Sequence, residues 1–245
     1  ATCRFRECKF SKLHTMIVRA LSRRCSLFER LGQVCRPQNS CYSVDANENR
    51  DGKDDWRTEL LETMKVFPDF ISSQEEDSIF QEVEPYMKRL RYEYSHWDDA
   101  IHGYRETERA KWNAENSKII ERVRAKAFPP GTPQLGLVHV LDLAADGKIK
   151  PHVDSVRFCG DVIAGISLLS DCVMRMTLVG NEKNCREDFL LPRRSLYIMS
   201  GAARQKYNHE VLGNEESTFR GEKVEKGRRI SVICRSEPEP RKDDS

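Results

Sequence analysis

Residues 135–155 read LGLVHVLDLAADGKIKPHVDS, and the folding of this stretch decides the rest. LGLVHVLDL and KIKPHVDS are short runs rich in apolar and β-branched residues, separated by Ala-Ala-Asp-Gly. Neither carries the 3.6-residue period of a helix. Read as a strand, the second run puts His152 and Asp154 on one face, about 7 Å apart along the backbone. Two groups able to bind a metal then face the same way. Either that face is wet or the two share a ligand.

The same texture continues downstream. DVIAGISLLS, CVMRMTLVG, DFLLPRRSLYIMSG, YNHEVL and RRISVICR are short β-rich runs punctuated by turn residues. Such spacing predicts the many short strands of a sandwich or barrel. Upstream, FPDFISSQEEDSIFQEVEPYMKRL carries Ser73 three residues before Glu76, a capping-box pattern, then Ile79, Phe80, Val83 and Met87 at helical spacing. AENSKIIERVRAKAF predicts a second helix with Ile119, Ile120, Val123 and Phe128 as its apolar stripe, stopped by Pro129 and Pro130. Two helices ahead of a β barrel make an α+β fold with the helices packed outside the sheets.

A chain of 245 residues can hold one sizeable domain and a tail, divided here into 1–55 and 56–245. No apolar run approaches the ~20 residues that span a bilayer, and a monomer without a membrane span is expected. The net charge of +2 hides an asymmetry. Residues 1–40 hold nine Lys and Arg against two Glu, or +7, which leaves −5 for the remainder. By charge, the body is not a general nucleic-acid binder. From Met16, a candidate start, MIVRALSRRCSLFERLGQV is Arg-rich, nearly free of acid and able to form an amphipathic helix. That is the composition of a mitochondrial transit peptide, and it points to the mitochondrial matrix. A basic disordered tail is the alternative. Residues 36–56 are polar and read as a linker. Five of the nine cysteines lie in the first 41 residues, and the other four form no CxxC pair. They read as reduced, packed thiols rather than a disulfide framework.

A metal at His152 and Asp154 needs a third ligand from elsewhere, and His209 in KYNHEVL is the candidate. Two His and one carboxylate, with open positions opposite, form the facial triad of non-haem Fe(II) oxygenases. SHWDDAIH offers a rival H-x-D at His96 and Asp98 with His102 close by, but it lies between helical segments. His139 and Asp142 have the wrong spacing for one strand face. In GRRISVICR, alternation puts Arg229, Ser231, Ile233 and Arg235 on one face and Ile230, Val232 and Cys234 on the other. Buried guanidinium groups need partners. A dicarboxylate supplies them through the bidentate fork that Lys cannot reproduce. An edge strand with two solvated arginines is the alternative; alongside the triad, an anion pocket is the better reading.

PHVDS, NHE and RRISVICR, with RYEYSHWDDAIHGYRETE, VHVLDL, IKPHVDSVRFCG, IAGISLLS and SLYIMSG, resemble the AlkB-like family of Fe(II)- and 2-oxoglutarate-dependent dioxygenases, and within it a mitochondrial branch. The resemblance covers about residues 60–238. It implies a double-stranded β-helix, iron at His152, Asp154 and His209, and 2-oxoglutarate held by Tyr197, Arg229 and Arg235, with Arg229 on the distal carboxylate. It implies oxidative decarboxylation to succinate and CO2 with O2 as oxidant, coupled to hydroxylation of a C–H bond. An N-methyl group so hydroxylated releases formaldehyde, whereas a hydroxylated protein carbon is stable. There are departures from the DNA-repair pattern. Leu141 and Leu143 stand near the places of an Asn and a Tyr that help bind co-substrate, and Ser231 stands where repair enzymes often have Asn. The region SHWDDAIHGYRETERAKW lacks a strong basic excess. These departures weaken the nucleic-acid reading, and the resemblance implies a protein or metabolite substrate, in a setting of alkylation-induced programmed necrosis and fatty-acid metabolism rather than DNA repair. One alternative is demethylation of bases in structured mitochondrial RNA, gripped by Arg105, Arg109, Lys111, Lys118 and Arg122. Another is a catalytically silent interaction protein in cell-death signalling.

Overall fold

The computed structural model describes residues 55–94 and 99–239. The transit-peptide and linker readings, His96, Asp98 and Trp97 lie outside the described residues. Helix α1 (Asp55–Thr63), strand β1 (Met64–Phe67) and helix α2 (Ser73–Met87) come first. Strand β2 (Ile101–Arg109), helix α3 (Ala114–Ala127) and the long β3 (Val138–His152) follow. Then come β4 (Val162–Leu168), β5 (Cys172–Leu178), β6 (Arg186–Leu191), β7 (Leu196–Ser200) and the short α4 (Gly201–Gln205). Strand β8 (Tyr207–Val211), the hairpin β9 (Thr218–Phe219) and β10 (Glu222–Lys223), and β11 (Arg229–Arg235) complete the order.

The strands pair antiparallel in the order β1-β7-β4-β11-β3-β8-β5-β6, with β2 along β3. The two runs of residues 135–155 are one strand, because Ala-Ala-Asp-Gly continues rather than turns. Along one edge β3 first pairs with β11, from Ile233↔His139 to Arg229↔Leu143, and then with β8, at Ile149↔Val211 and His152↔His209. It thus belongs to two walls. Where it changes partner, the buried Lys226 ammonium donates to the Ala144 and Ala145 carbonyls at 3.0 and 2.8 Å. These carbonyls would otherwise lack a strand partner, and a buried unpaired carbonyl is costly. Gly147 permits the crossing with β2, since a Cβ there would lie 2.6 Å from the Gly103 carbonyl oxygen.

Alternation sorts the side chains. Ile163, Tyr197, Met199 and Ile233 from the first wall meet Met174, Met176, Tyr207 and Val211 from the second in an inner core. The opposite face of the first wall, with Val140, Ala164, Ile166, Leu196, Ile230 and Val232, packs on α2 and α3 through Ile79, Val83, Ile119 and Val123. This is the predicted helices-outside arrangement. No helix among the described residues is long and apolar enough to cross a membrane.

Three details differ from expectation. The capping box sits one residue earlier: Ser72 Oγ accepts from the Glu75 amide and Glu75 from the Ser72 amide. Glu76 is instead buried, accepting from the Leu169 amide and from Arg193 Nε at 2.7 and 2.8 Å. The segment between the helices forms β2, a full strand of the sheet. Finally, β3 ends at His152, so Asp154 stands just beyond the strand.

Candidate metal centre

His152, at the end of β3, faces His209 across the β3–β8 pair, and Met176 of β5 flanks His209 on its other side. The two imidazole rings lie 4.3 Å apart. Asp154 reaches back from the following loop, its Oδ1 3.3 Å from His152 Nε2. One ligand atom from each of the three falls within 4.8 Å of the others. They form the described group able to hold a metal ion, and its donor set, two imidazoles and a carboxylate, suits iron(II).

The surroundings prepare these groups for ligation. His152 Nδ1 lies 2.9 Å from the Lys150 carbonyl, which can only accept. That contact fixes the ring proton on Nδ1 and leaves the Nε2 lone pair toward Asp154. Burial pushes His209 down to about 4, against an opposing pull from Asp154, so its imidazole is neutral at pH 7. Burial alone would raise Asp154. The contact with His152 Nε2 and the Arg235 charge outweigh it and hold the carboxyl well below the usual range.

A deep cavity of about 70 Å³ lies behind the triad, roomy enough for several water-sized groups. Leu141, Tyr197, Arg229, Ser231 and Arg235 all line it. The sequence-predicted alternation of β11 therefore holds, but the strand is central, between β4 and β3, and both its faces are buried. Arg229 is 2% exposed, with Ser167 Oγ accepting from its Nε at 2.9 Å. Its Nη2 and Arg235 Nε are buried with no partner in the protein. Buried guanidinium nitrogens of this kind call for an anion. Burial drives the Tyr197 phenol up to about 12 despite the Arg229 charge, so it remains a donor. Arg229 borders the deep cavity alone, whereas Arg235 also borders a wider outer cleft of about 830 Å³. A dicarboxylate entering the cavity would meet Arg229 within it and Arg235 where it borders the cleft. Iron(II) and 2-oxoglutarate both fit the residues present.

Two contributors escaped the sequence reading. Gly165 pairs with Tyr197 across β4 and β7, and a Cβ there would lie 2.5 Å from the Tyr197 ring. His139, set aside for its spacing, accepts from Arg235 Nη2 at 2.9 Å through Nδ1. The basic patch assembled for RNA does not stand as free charge. Arg105 is buried against Asp142, Arg109 pairs with Glu82, and Arg122 pairs with Glu75. Lys111 and Lys118 are exposed. Cys159 and Cys172 are buried free thiols, as expected.

The sequence pattern of the 2OG-Fe(II) oxygenase superfamily matches residues 51–235. The chain is 51% identical over 180 residues to the Bos taurus protein named alpha-ketoglutarate-dependent dioxygenase alkB homolog 7, mitochondrial. It is 53% identical over the same length to the Mus musculus protein of that name. Each alignment covers 74% of this chain and 81% of the relative. Among solved structures, that of OsALKBH1 is similar with a TM-score of 0.52 at 13% identity, covering 71% of this chain and 97% of that one. A Pseudomonas putida prolyl-4-hydroxylase gives 0.50 at 14% identity, covering 72% and 93%. At such identities the likeness is one of fold, and it is the jelly-roll expected from the sequence.

Proposed function

The chain belongs to the 2OG-Fe(II) oxygenase superfamily and is an Fe(II)- and 2-oxoglutarate-dependent dioxygenase of the alkB-like type, and we propose that His152, Asp154 and His209 hold its iron while Tyr197, Arg229 and Arg235 hold 2-oxoglutarate. One observation carries this assignment: a His-Asp-His cluster opens onto a cavity whose deepest guanidinium has an orphaned N–H. The chemistry supplied at such a site is dioxygen activation by iron(II), coupling decarboxylation of 2-oxoglutarate to hydroxylation of a C–H bond. The chain's own residues bind and orient. Ser167 steadies Arg229. The Tyr197 hydroxyl, which lines the cavity, would donate to an anion held there. Leu141, Ile163 and Ile233 give the deep cavity its apolar wall. With Leu141 in the wall, co-substrate affinity falls more heavily on the two arginines.

The relatives' names carry a mitochondrial location, which supports a mitochondrial enzyme here, and we place it in the matrix. Its substrate is a protein or metabolite C–H, in the setting of alkylation-induced programmed necrosis and fatty-acid metabolism. The pairing of Arg105, Arg109 and Arg122 with carboxylates favours this over methylated RNA. The test follows succinate formation from 2-oxoglutarate and O2 by the full chain with Fe(II). Wild type should turn over, and His152→Ala and Arg229→Ala should not. Wild-type rates in either variant would overturn the assignment.

A further inference from the structure

Arg235 is the last residue of β11, where a long side chain has many conformers and little to hold it. It is nevertheless fixed. Its Nη2 donates to His139 Nδ1 at 2.9 Å, and His139 Nε2 lies 2.8 Å from Glu106 Oε2. A guanidinium has only donors, so Nδ1 must present its lone pair. The proton of the neutral ring is then on Nε2 and donates to Glu106. The three residues come from neighbouring strands: β2 beside β3, and β3 beside β11. They form a carboxylate–imidazole–guanidinium chain running across the sheet.

The chain ends where the site needs control. His139 and Arg235 both line the deep cavity and the outer cleft, so they stand at the neck between them. Asp154 stands there too and feels the Arg235 charge. A guanidinium that swung onto Asp154 would occupy a metal ligand and abandon the co-substrate. A carboxylate brace in place of His139 would hold Arg235 but neutralise it. A neutral imidazole holds the guanidinium and leaves its charge for an incoming anion. We propose that His139 and Glu106 are positioning residues for Arg235 and that this chain sets the affinity for 2-oxoglutarate. The inference rests on the reading above, in which Arg235 binds the co-substrate.

The test measures 2-oxoglutarate binding calorimetrically to the full chain loaded with Mn(II), beside steady-state kinetics with Fe(II). His139→Leu removes the acceptor and should raise Kd about tenfold, the scale of one charge-assisted hydrogen bond. KM should follow Kd, with kcat at saturating 2-oxoglutarate unchanged. His139→Gln keeps an acceptor for Arg235 and a donor for Glu106, and should recover most of the affinity. Glu106→Gln should weaken binding a few-fold in the native background and not at all beside His139→Leu, since the two act in series. A native Kd in His139→Leu, or an undiminished Glu106→Gln effect in the double variant, would overturn the inference alone. Loss of Mn(II) binding in His139→Gln would do the same, placing His139 in metal assembly. If the wild type itself bound no 2-oxoglutarate, the reading of the pocket would fall first and the inference with it.

Discussion

Replacing Gly165 by Ala decides whether the Tyr197 ring is held by packing. Gly165 lies in β4, between Tyr197 of β7 and Ile233 of β11. A Cβ there would lie 2.5 Å from Tyr197 Cε1 and Cζ and 2.6 Å from its hydroxyl oxygen. Carbon contacts settle near 3.5–4.0 Å, so the ring must retreat by about 1 Å. It is buried in the inner core and has little room to do so. Overpacking of this kind costs about 1–3 kcal/mol. The sign is diagnostic. In an ordinary strand position, exchanging Gly for Ala stabilises by about 0.5–1 kcal/mol. Gly165→Ala should instead lower Tm by about 2–4 °C per kcal/mol lost, for a domain of this size. It should also raise KM for 2-oxoglutarate by shifting the Tyr197 hydroxyl. Thermal unfolding and succinate kinetics on the same preparation read both effects. In a Tyr197→Ala background the penalty should vanish, because the clashing atoms are gone. A native or raised Tm in Gly165→Ala, or a penalty that survives in Tyr197→Ala, would refute the reasoning.

Other outcomes follow from the same geometry. Asp142 is fully buried and accepts from Arg105 Nε and Arg228 Nη2, both at 2.7 Å, and from the Tyr92 hydroxyl at 3.1 Å. Asp142→Asn leaves two guanidinium groups without their buried anion and should cost about 3–5 kcal/mol in urea unfolding. The pH dependence of the metal-free protein should carry the mark of His209. Its native value is about 4 and the unfolded value about 6.5. Between them the unfolded chain binds a proton that the native protein does not, so stability is complete above about pH 6.5 and declines toward pH 4. About 2–3 kcal/mol should be lost across that window, and His209→Gln should flatten it. Asp154, held low, loses its contribution only below that window.

Much of the site was legible because its chemistry repeats at strand spacing. Arg229, Ser231, Ile233 and Arg235 alternate against Ile230, Val232 and Cys234, and that period holds whether the second face meets water or helices. What it could not say is that β11 is central; both readings of its arginines fit an alternating strand, and burial alone separates them. The capping box slipped by one because Ser72–Glu75 and Ser73–Glu76 fit the same pattern. Only the distant Arg193 and the Leu169 amide, which bury Glu76, decide between them. Strand β2 was missed since IHGYRETER is rich in charge, and Arg105 is buried only because Asp142 lies beside it. His139 failed the spacing test for a metal face. Its partner is a guanidinium 96 residues away in sequence, on the neighbouring strand, which no local pattern contains.

The place of β11 also bears on how the protein acquires its shape. The strand inserts between β3 and β4, both of which precede it by a long stretch of chain. Until it arrives, each of those two has an open edge facing the gap, a template for the wrong strand. Pairings between segments so far apart in sequence form slowly, because loop closure is disfavoured before any contact rewards it. Both arginines ride on this strand, so the anion pocket is among the last features to be completed. The two histidines of the candidate metal centre lie on β3 and β8, which pair with each other rather than with β11, whereas a nascent chain lacking β11 lacks both guanidinium groups of the cavity. Delay at this step therefore sets the period during which aggregation competes with maturation.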